Sequence, residues 1–320
     1  MNKLAVVGAG AWGTALSLQA MRAGHRVALI ARDAAKASAI HASRESQRLP
    51  GHRLPDALEL RHDLPSDADL LLWVVPTQHL RSSLSRFQLS HGTIVVCAKG
   101  VEATTGLLPL EVVNEVFPSR PLAILTGPNF AHEVAKGLPA AAVVASTDTG
   151  VREHVRAMLG TSTFRLYGND DPIGAQLGGA AKNVIAIAAG AVIGAGLGEN
   201  ARAALVTRGL SELRRLAIAL GGRAETVMGL SGLGDLLLTC TGPSSRNFSL
   251  GHALGRGETL ATILGSRSEV TEGVYAAAAL VARAGETELP ICRAVADLLA
   301  EKKTLDQAIT QLLSRPQRDE

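Results

Sequence analysis

The segment Gly8-Ala9-Gly10-Ala11-Trp12-Gly13 carries three glycines in the spacing G-x-G-x-x-G. Such a segment makes and breaks no bonds; it lets backbone approach a phosphate. The first glycine permits a tight turn, the second admits a pyrophosphate against the main chain, and the third lets a helix pack closely on a strand. The pattern alone is weak. Here an apolar strand-like run, LAVV (4–7), precedes it, and a helical pattern, WGTALSLQAMRAG (12–24), follows. A second strand is reached by Val27, which is the context a dinucleotide-binding loop requires. The helix start offers free N–H groups to the phosphates, so Gly8, Gly10, Ala11, Trp12 and Gly13 are candidate cofactor contacts. The second strand ends in Ala31-Arg32-Asp33. An acid there suits the ribose hydroxyl of NAD, whereas an arginine suits the 2′-phosphate of NADP. Arg32 stands nearest the expected place, which tilts the expectation slightly towards NADP.

Further elements must position this loop. VALI (27–30), LLLWVV (70–75), TIVVCA (93–98), LAIL (122–125), AAVVAS (141–146) and TFRLYG (163–168) read as short strands, with amphipathic patterns such as PLEVVNEVF (109–117) between them. Continuously apolar strands alternating with helices predict a parallel sheet covered on both faces. After about residue 172 strand signals fade. Patterns such as 199–222 and 272–285 read as long helices, stopped by Gly221-Gly222 and Gly285. The expectation is an α/β Rossmann-type N-terminal domain over 1–175 and an all-α C-terminal domain over 176–320.

The bulk numbers narrow the function classes. Of 320 residues, 47% are hydrophobic and 19% charged, a globular composition; aromatics are only 3%, so Ala, Leu, Val and Ile must build the core. The net charge is +3 and no run of like charges occurs, which argues against a nucleic-acid arm. Cys97, Cys240 and Cys292 are odd in number and far apart, so they form neither a disulfide framework nor a zinc site. A reducing, cytoplasmic location is expected. The histidines are scattered, and no metal is expected. Glycines and Trp12 interrupt the apolar N-terminus, unlike a signal peptide. The run 184–198 falls short of the roughly 18 residues of a membrane span and reads as a buried helix.

Other motifs follow in order: Lys99-Gly100 after the fourth strand, TGPNFAHEVAKGLPAA (126–141), AAKNVIAIAAG (180–190), AALVTRGLSE (203–212), GLSGLGDLLLTCTGPSSRN (229–247) and VTEGV (270–274). Together they closely resemble the bacterial-type NAD(P)-dependent glycerol-3-phosphate dehydrogenase family, from Gly8 to about Pro290. The resemblance implies reduction of dihydroxyacetone phosphate to sn-glycerol 3-phosphate with NAD(P)H, and a role in phospholipid precursor supply. Ketone reduction by hydride leaves charge growing on the carbonyl oxygen, so a positioned acid must supply a proton. By resemblance that group is Lys182, expected to open a helix at the domain seam. Its apolar flanks, GGAA and VIAIAAG, imply burial.

By the same resemblance, Lys99 is a catalytic candidate beside Lys182 and Asp235 and touches both cofactor and substrate. Its place at the C-terminal end of a strand agrees with where open α/β sheets bind ligands. Gly127 and Asn129 would hold substrate, Ala131 would lie by the nicotinamide, and Val270 and Glu272 by the cofactor. Asp235 would orient Lys182 or bind a substrate hydroxyl, or act as an N-cap. Arg208, in a helical pattern, could pair with Asp235 or the substrate phosphate, or stand on a solvated face. Ser245, Arg246 and Asn247 would bind the substrate phosphate, with Arg246 also reaching the cofactor. Their residue types suit an anion, since they offer hydroxyls, backbone N–H groups at a helix start and a forked guanidinium. The alternative for Ser245 is a plain N-cap. The sequence departs from the family pattern at Asn129, where Ser or Thr is usual, and at Ile193-Gly194, where Asp-Gly is common. Two rivals stand beside this reading: a ketopantoate-type reductase of the same build, and a redox sensor that binds dinucleotide without turnover. The large apolar helices of the second half are compatible with a homodimer, though such faces serve a self-contact and a core alike.

Overall fold

The computed structural model describes residues 2–89, 91–266 and 271–314. The chain divides into two compact units. Unit 1 comprises Met1–Lys99 with Leu108–Gln176, and unit 2 comprises Gly100–Leu107 with Leu177–Glu320.

Unit 1 is an α/β fold. Its strands are β1 (Lys3–Val7), β2 (Arg26–Ile30), β3 (Glu45–Ser46), β4 (Leu49–Arg53), β5 (Glu59–Arg61), β6 (Leu70–Trp73), β7 (Thr93–Val96), β8 (Leu122–Thr126), β9 (Ala140–Ala145) and β10 (Phe164–Asn169). Between them run α1 (Ala11–Arg22), α2 (Ala34–Ser43), α3 (Leu80–Leu84), α4 (Pro109–Val116), α5 (Ala131–Lys136) and α6 (Thr149–Leu159). Eight strands form one sheet in the order β10-β9-β8-β7-β6-β1-β2-β5. The sheet is parallel except between β8 and β9, which pair antiparallel. The parallel expectation fails at this pair because unbroken apolar runs report burial on both faces, not strand direction. The strands β3, β4 and β5 were not foreseen, since LPGHR and ELR have no apolar run.

The core of unit 1 is aliphatic, with Leu4, Val6, Leu16, Leu29, Leu70, Leu72 and Val95 all but closed to solvent. Consecutive buried residues in β1 and β6 explain the absence of alternation in these strands. The sheet order reverses at β1: β2 lies on one side and β6 on the other. Such a reversal leaves a crevice beyond the strand C-termini, where ligands bind in folds of this kind.

Unit 2 is helical. It comprises most of α7 (Pro172–Gly194), then α8 (Gly198–Ala219), α9 (Ala224–Val227), α10 (Asp235–Cys240), α11 (Arg246–Gly255), α12 (Leu260–Gly265), α13 (Glu272–Arg283), α14 (Pro290–Leu299) and α15 (Leu305–Leu313). A single π turn, Leu230–Gly234, leads into α10. Among the described residues α7 alone is long and apolar enough to cross a membrane, but 83% of its most apolar stretch is buried in the structure, as in a core helix. The apolar run 184–198 lies in this buried helix only as far as Gly194, with residues 195–197 forming the turn into α8, and the helix starts twelve residues before the run. Glycines bring α7 and α11 into backbone contact: a Cβ on Gly251 would lie 1.9 Å from the Ile187 carbonyl oxygen, and one on Gly190 2.0 Å from that of Phe248. Glu212 of α8 reaches the start of α14, where its two carboxylate oxygens accept the N–H groups of Ile291 (2.6 Å) and Cys292 (3.1 Å). A buried acid thereby caps a helix from another segment and complements its dipole.

Candidate functional site

The glycine loop joins β1 to α1 at the sheet's reversal point. The Gly8 amide donates to the Ile30 carbonyl (3.0 Å), and its φ of +118° is open to glycine. A Cβ on Gly8 would stand 2.3 Å from the Val74 carbonyl oxygen, and one on Gly13 1.9 Å from that of Gly8. A Cβ on Gly10 would meet nothing within 4 Å, so the backbone there faces open space. Gly10 is the N-cap of α1, and no side chain caps that end, nor is any acid present in its first turn. The amides at the start of α1 are therefore directed at a space an anion can fill. These residues fit the pyrophosphate of a dinucleotide. Ala11 and Trp12 lie half-buried in the first turn.

At the end of β2 the two candidate ribose contacts have different environments. Asp33 is the N-cap of α2, accepting from the Lys36 amide (2.8 Å), and its other oxygen accepts from Arg32 Nε (3.2 Å). These two bonds hold its carboxyl below the usual range. The Arg32 side chain is 83% exposed.

Further along unit 1, Lys99 follows β7 and its Nζ donates to the Gly127 carbonyl (2.9 Å). Gly127 sits at φ +132° just beyond β8. Asn129 Nδ2 donates to the Ala141 carbonyl (3.1 Å), while the buried Oδ1 has no hydrogen-bond partner. Three residues expected to meet substrate thus converge on one turn, with a buried acceptor unspent. Ala131 opens α5 directly after it.

In unit 2, Lys182 Nζ lies 2.5 Å from Asp235 Oδ1 and donates to Thr239 Oγ1 at 3.0 Å. The side chains of Lys182 and Asp235 are 9% and 1% exposed. Two sequence expectations are corrected here. Lys182 does not open a helix; it sits in the middle of α7, which extends upstream to Pro172. Asp235 is not an N-cap; it is the first residue of α10, entered through the π turn, and its carboxylate is directed to Lys182 instead. Thr239 escaped the sequence reading, although it lies one helical turn beyond Asp235 and shares its face. The Thr239 hydroxyl also donates to the Asp235 carbonyl (2.6 Å). Burial pushes the Cys240 thiol up to about 12 and raises those of Cys97 and Cys292, so none is a nucleophile at neutral pH.

The start of α11 supplies the second cluster of unit 2. Ser245 is the N-cap, its Oγ accepting from the Phe248 amide (3.2 Å). Arg246 is exposed, and Asn247 is buried beneath it. Glu272 is the first residue of α13; Val270 falls outside the described residues. Arg208 is exposed on α8, while the Asp235 carboxylate is engaged by Lys182. Among the described residues no group of His, Cys, Asp and Glu is arranged to hold a metal.

Comparison with known proteins bears on the family of the whole chain. The models for the N-terminus and C-terminus of NAD-dependent glycerol-3-phosphate dehydrogenase match residues 3–151 and 171–310. A relative from Acidiphilium cryptum, named glycerol-3-phosphate dehydrogenase, NAD(P)+, is 57% identical over 320 residues, covering 99% of this chain and 98% of its own. The crystal structure of a glycerol-3-phosphate dehydrogenase from Coxiella burnetii superposes with a TM-score of 0.93 at 36% identity, covering 98% of this chain and 99% of that one. A ketopantoate reductase from Ralstonia eutropha shares the fold only, with a TM-score of 0.58 at 19% identity over 98% of this chain and 100% of that one. A glycine loop at a sheet reversal, a buried Lys–Asp pair and two family models that together span most of the sequence lead to one assignment: the chain belongs to the NAD-dependent glycerol-3-phosphate dehydrogenase family.

Proposed function

We propose that this protein interconverts dihydroxyacetone phosphate and sn-glycerol 3-phosphate with NAD(P)H, and that Lys182 is its general acid and base. A bound nicotinamide would supply the hydride chemistry at C2 of the substrate. In reduction Lys182 gives a proton to the C2 oxygen, and in oxidation it takes one back. Asp235 and Thr239 hold the Lys182 amine in place through the bonds at 2.5 and 3.0 Å. The start of α11 binds the phosphate through backbone N–H groups and the Arg246 guanidinium, with Ser245 and Asn247 beside it. Lys99, Gly127 and Asn129 are further substrate contacts by the resemblance, and Lys99 also contacts the cofactor. Gly8, Gly10, Ala11, Trp12 and Gly13 hold the pyrophosphate, while Ala131, Arg246, Val270 and Glu272 complete the cofactor contacts. In this reading unit 1 is the dinucleotide-binding domain and unit 2, which also takes in Gly100–Leu107, the substrate domain.

The observation that carries this reading is the buried Lys182–Asp235 pair, since an ion pair is costly to bury unless it is fully partnered. NADP is favoured slightly, because Asp33 is occupied as a helix cap while the Arg32 guanidinium reaches solvent. Placement in the cytoplasm fits three buried free thiols. The product would feed phospholipid synthesis. A homodimer is supported by apolar side chains left exposed on unit 2, Ile218, Met228 and Leu237. The test is a steady-state assay of dihydroxyacetone phosphate with NADH and NADPH separately, on wild type and Lys182→Ala. The variant is expected to lose about 10²–10⁴ in kcat. Turnover of ketopantoate in place of dihydroxyacetone phosphate, or an unaffected Lys182→Ala variant, would overturn the assignment.

A further inference from the structure

Next to Lys182, on the same helix, Asn183 begins a chain of amide hydrogen bonds that crosses three helices of unit 2. Asn183 Nδ2 donates to the Gly179 carbonyl one turn back (3.3 Å), which turns its Oδ1 outward from α7. That oxygen accepts from Asn247 Nδ2 at 2.9 Å. Asn247 Oδ1 in turn accepts the backbone N–H of Gly273, the second residue of α13, at 3.0 Å. Both asparagines are buried, at 5% and 8% exposure. The alternation of donor and acceptor leaves one consistent orientation for each amide. It also spends the Asn247 carbonyl oxygen and one of its two N–H bonds, leaving the second N–H as the polar group Asn247 can offer a ligand.

The backbone is built to keep this register. Beyond Asn183 and Asn247, α7 and α11 continue in contact in the same direction, turn by turn. A Cβ on Gly251 would strike the Ile187 carbonyl oxygen at 1.9 Å, and one on Gly255 that of Ala191 at 2.4 Å. The third helix is held as closely: a Cβ on Gly273 would fall 2.6 Å from Asn247 Oδ1 and 2.8 Å from the Asn183 carbonyl oxygen. Neither helix can slide without losing the amide chain, and the amide side chains cannot flip without breaking two bonds.

We propose that Asn183 is a positioning residue for the substrate phosphate: it fixes the Asn247 amide so that one N–H is presented at the start of α11, while the separate Asn247–Gly273 bond holds that start to the first turn of α13. This deepens, and rests on, the assignment of the α11 start as the phosphate-binding element. Asn183 itself does not touch the reacting atoms; it acts through Asn247. Its removal therefore weakens the grip on the phosphorylated substrate and leaves proton transfer by Lys182 and dinucleotide binding largely intact.

The experiment is a KM-against-kcat comparison of wild type, Asn183→Ala and Glu212→Gln, with sn-glycerol 3-phosphate and NADPH affinities measured by calorimetry. Asn183→Ala is expected to raise KM for dihydroxyacetone phosphate and Kd for sn-glycerol 3-phosphate about tenfold, the size of one lost oriented hydrogen bond. Its kcat should stay within about threefold and its NADPH affinity within about twofold of wild type. Glu212→Gln, which disturbs a buried polar group elsewhere in the same unit, should lower Tm and leave KM unchanged. Should Asn183→Ala fail to fold, hydrogen exchange on wild type decides. Adding sn-glycerol 3-phosphate without cofactor should slow exchange of the 271–275 segment, which contains the Gly273 N–H. The proposal is overturned if KM is unchanged in a folded Asn183→Ala, if kcat, KM and NADPH affinity shift together with Tm, or if the 271–275 segment keeps its exchange rate. A wild type that does not turn over dihydroxyacetone phosphate would instead overturn the assigned reaction.

Discussion

Replacing Asp235 by alanine separates a buried ion pair from an incidental surface contact. The Lys182 ammonium lies 2.5 Å from the Asp235 carboxylate, with side-chain exposures of 9% and 1%. At an effective dielectric near 20, unit charges that close attract by about 7 kcal/mol. Part of this offsets the cost of taking both groups out of water. Deleting one member leaves the other buried without its counter-charge, which costs about 3–5 kcal/mol, whereas an exposed pair would cost about 0–1 kcal/mol. Asp235→Ala should therefore lower urea-unfolding stability by about 3–5 kcal/mol, with the loss confined to the transition of the helical unit if the two units unfold separately. Combining Asp235→Leu with Lys182→Met replaces both charges with apolar groups of similar bulk and should restore most of that stability. Neither the single nor the double variant should reduce dihydroxyacetone phosphate at more than a trace of the wild-type rate. Urea denaturation followed by circular dichroism, paired with NADPH oxidation followed by absorbance, measures both. A loss under about 1 kcal/mol for Asp235→Ala would mean that solvent screens the pair, and its burial would then carry no weight as a sign of function.

Three other outcomes follow from the same structure. Gly13→Ala puts a Cβ 1.9 Å from the Gly8 carbonyl oxygen, so it should abolish NADPH binding in a fluorescence titration, while the helical unit keeps its thermal transition. Arg32→Glu should reduce kcat/KM with NADPH at least about tenfold relative to NADH, about the 1–2 kcal/mol of a charge-assisted bond; an unchanged ratio would remove Arg32 from cofactor choice. Burial raises the Glu212 carboxyl above the usual glutamate range, against the pull of its two amide donors. A raised carboxyl binds its proton more tightly folded than unfolded. Its contribution is therefore fully present below the ordinary glutamate range and is lost as pH rises towards its elevated folded value. Glu212→Gln should remove that decline from the stability–pH curve while costing about 1–3 kcal/mol for the acceptor it lacks. A wild-type curve that is flat across the mildly acid range would contradict this.

What residue order sets and what packing sets in this protein divide along a physical line. Periodicity, glycine spacing and cap residues act over a few residues. The β1–Gly8–Gly13–α1 unit, the main strands, the long helices and the helix start at Ser245 were therefore legible from residue order. Short range also explains the errors. Apolar continuity carried no direction for β8 and β9, and it hid the true start of α7, which placed Lys182 at a helix end instead of its middle. Only packing decided which distant groups meet. Asp235 turns from capping its own helix to pairing with Lys182, Asn183 engages Asn247, and Glu212 caps a helix that begins far along the chain. Each of these contacts joins separate helices. Each exists because a buried polar group must find a partner once water is excluded, and which partner lies within reach is set by helix crossings that no local pattern encodes.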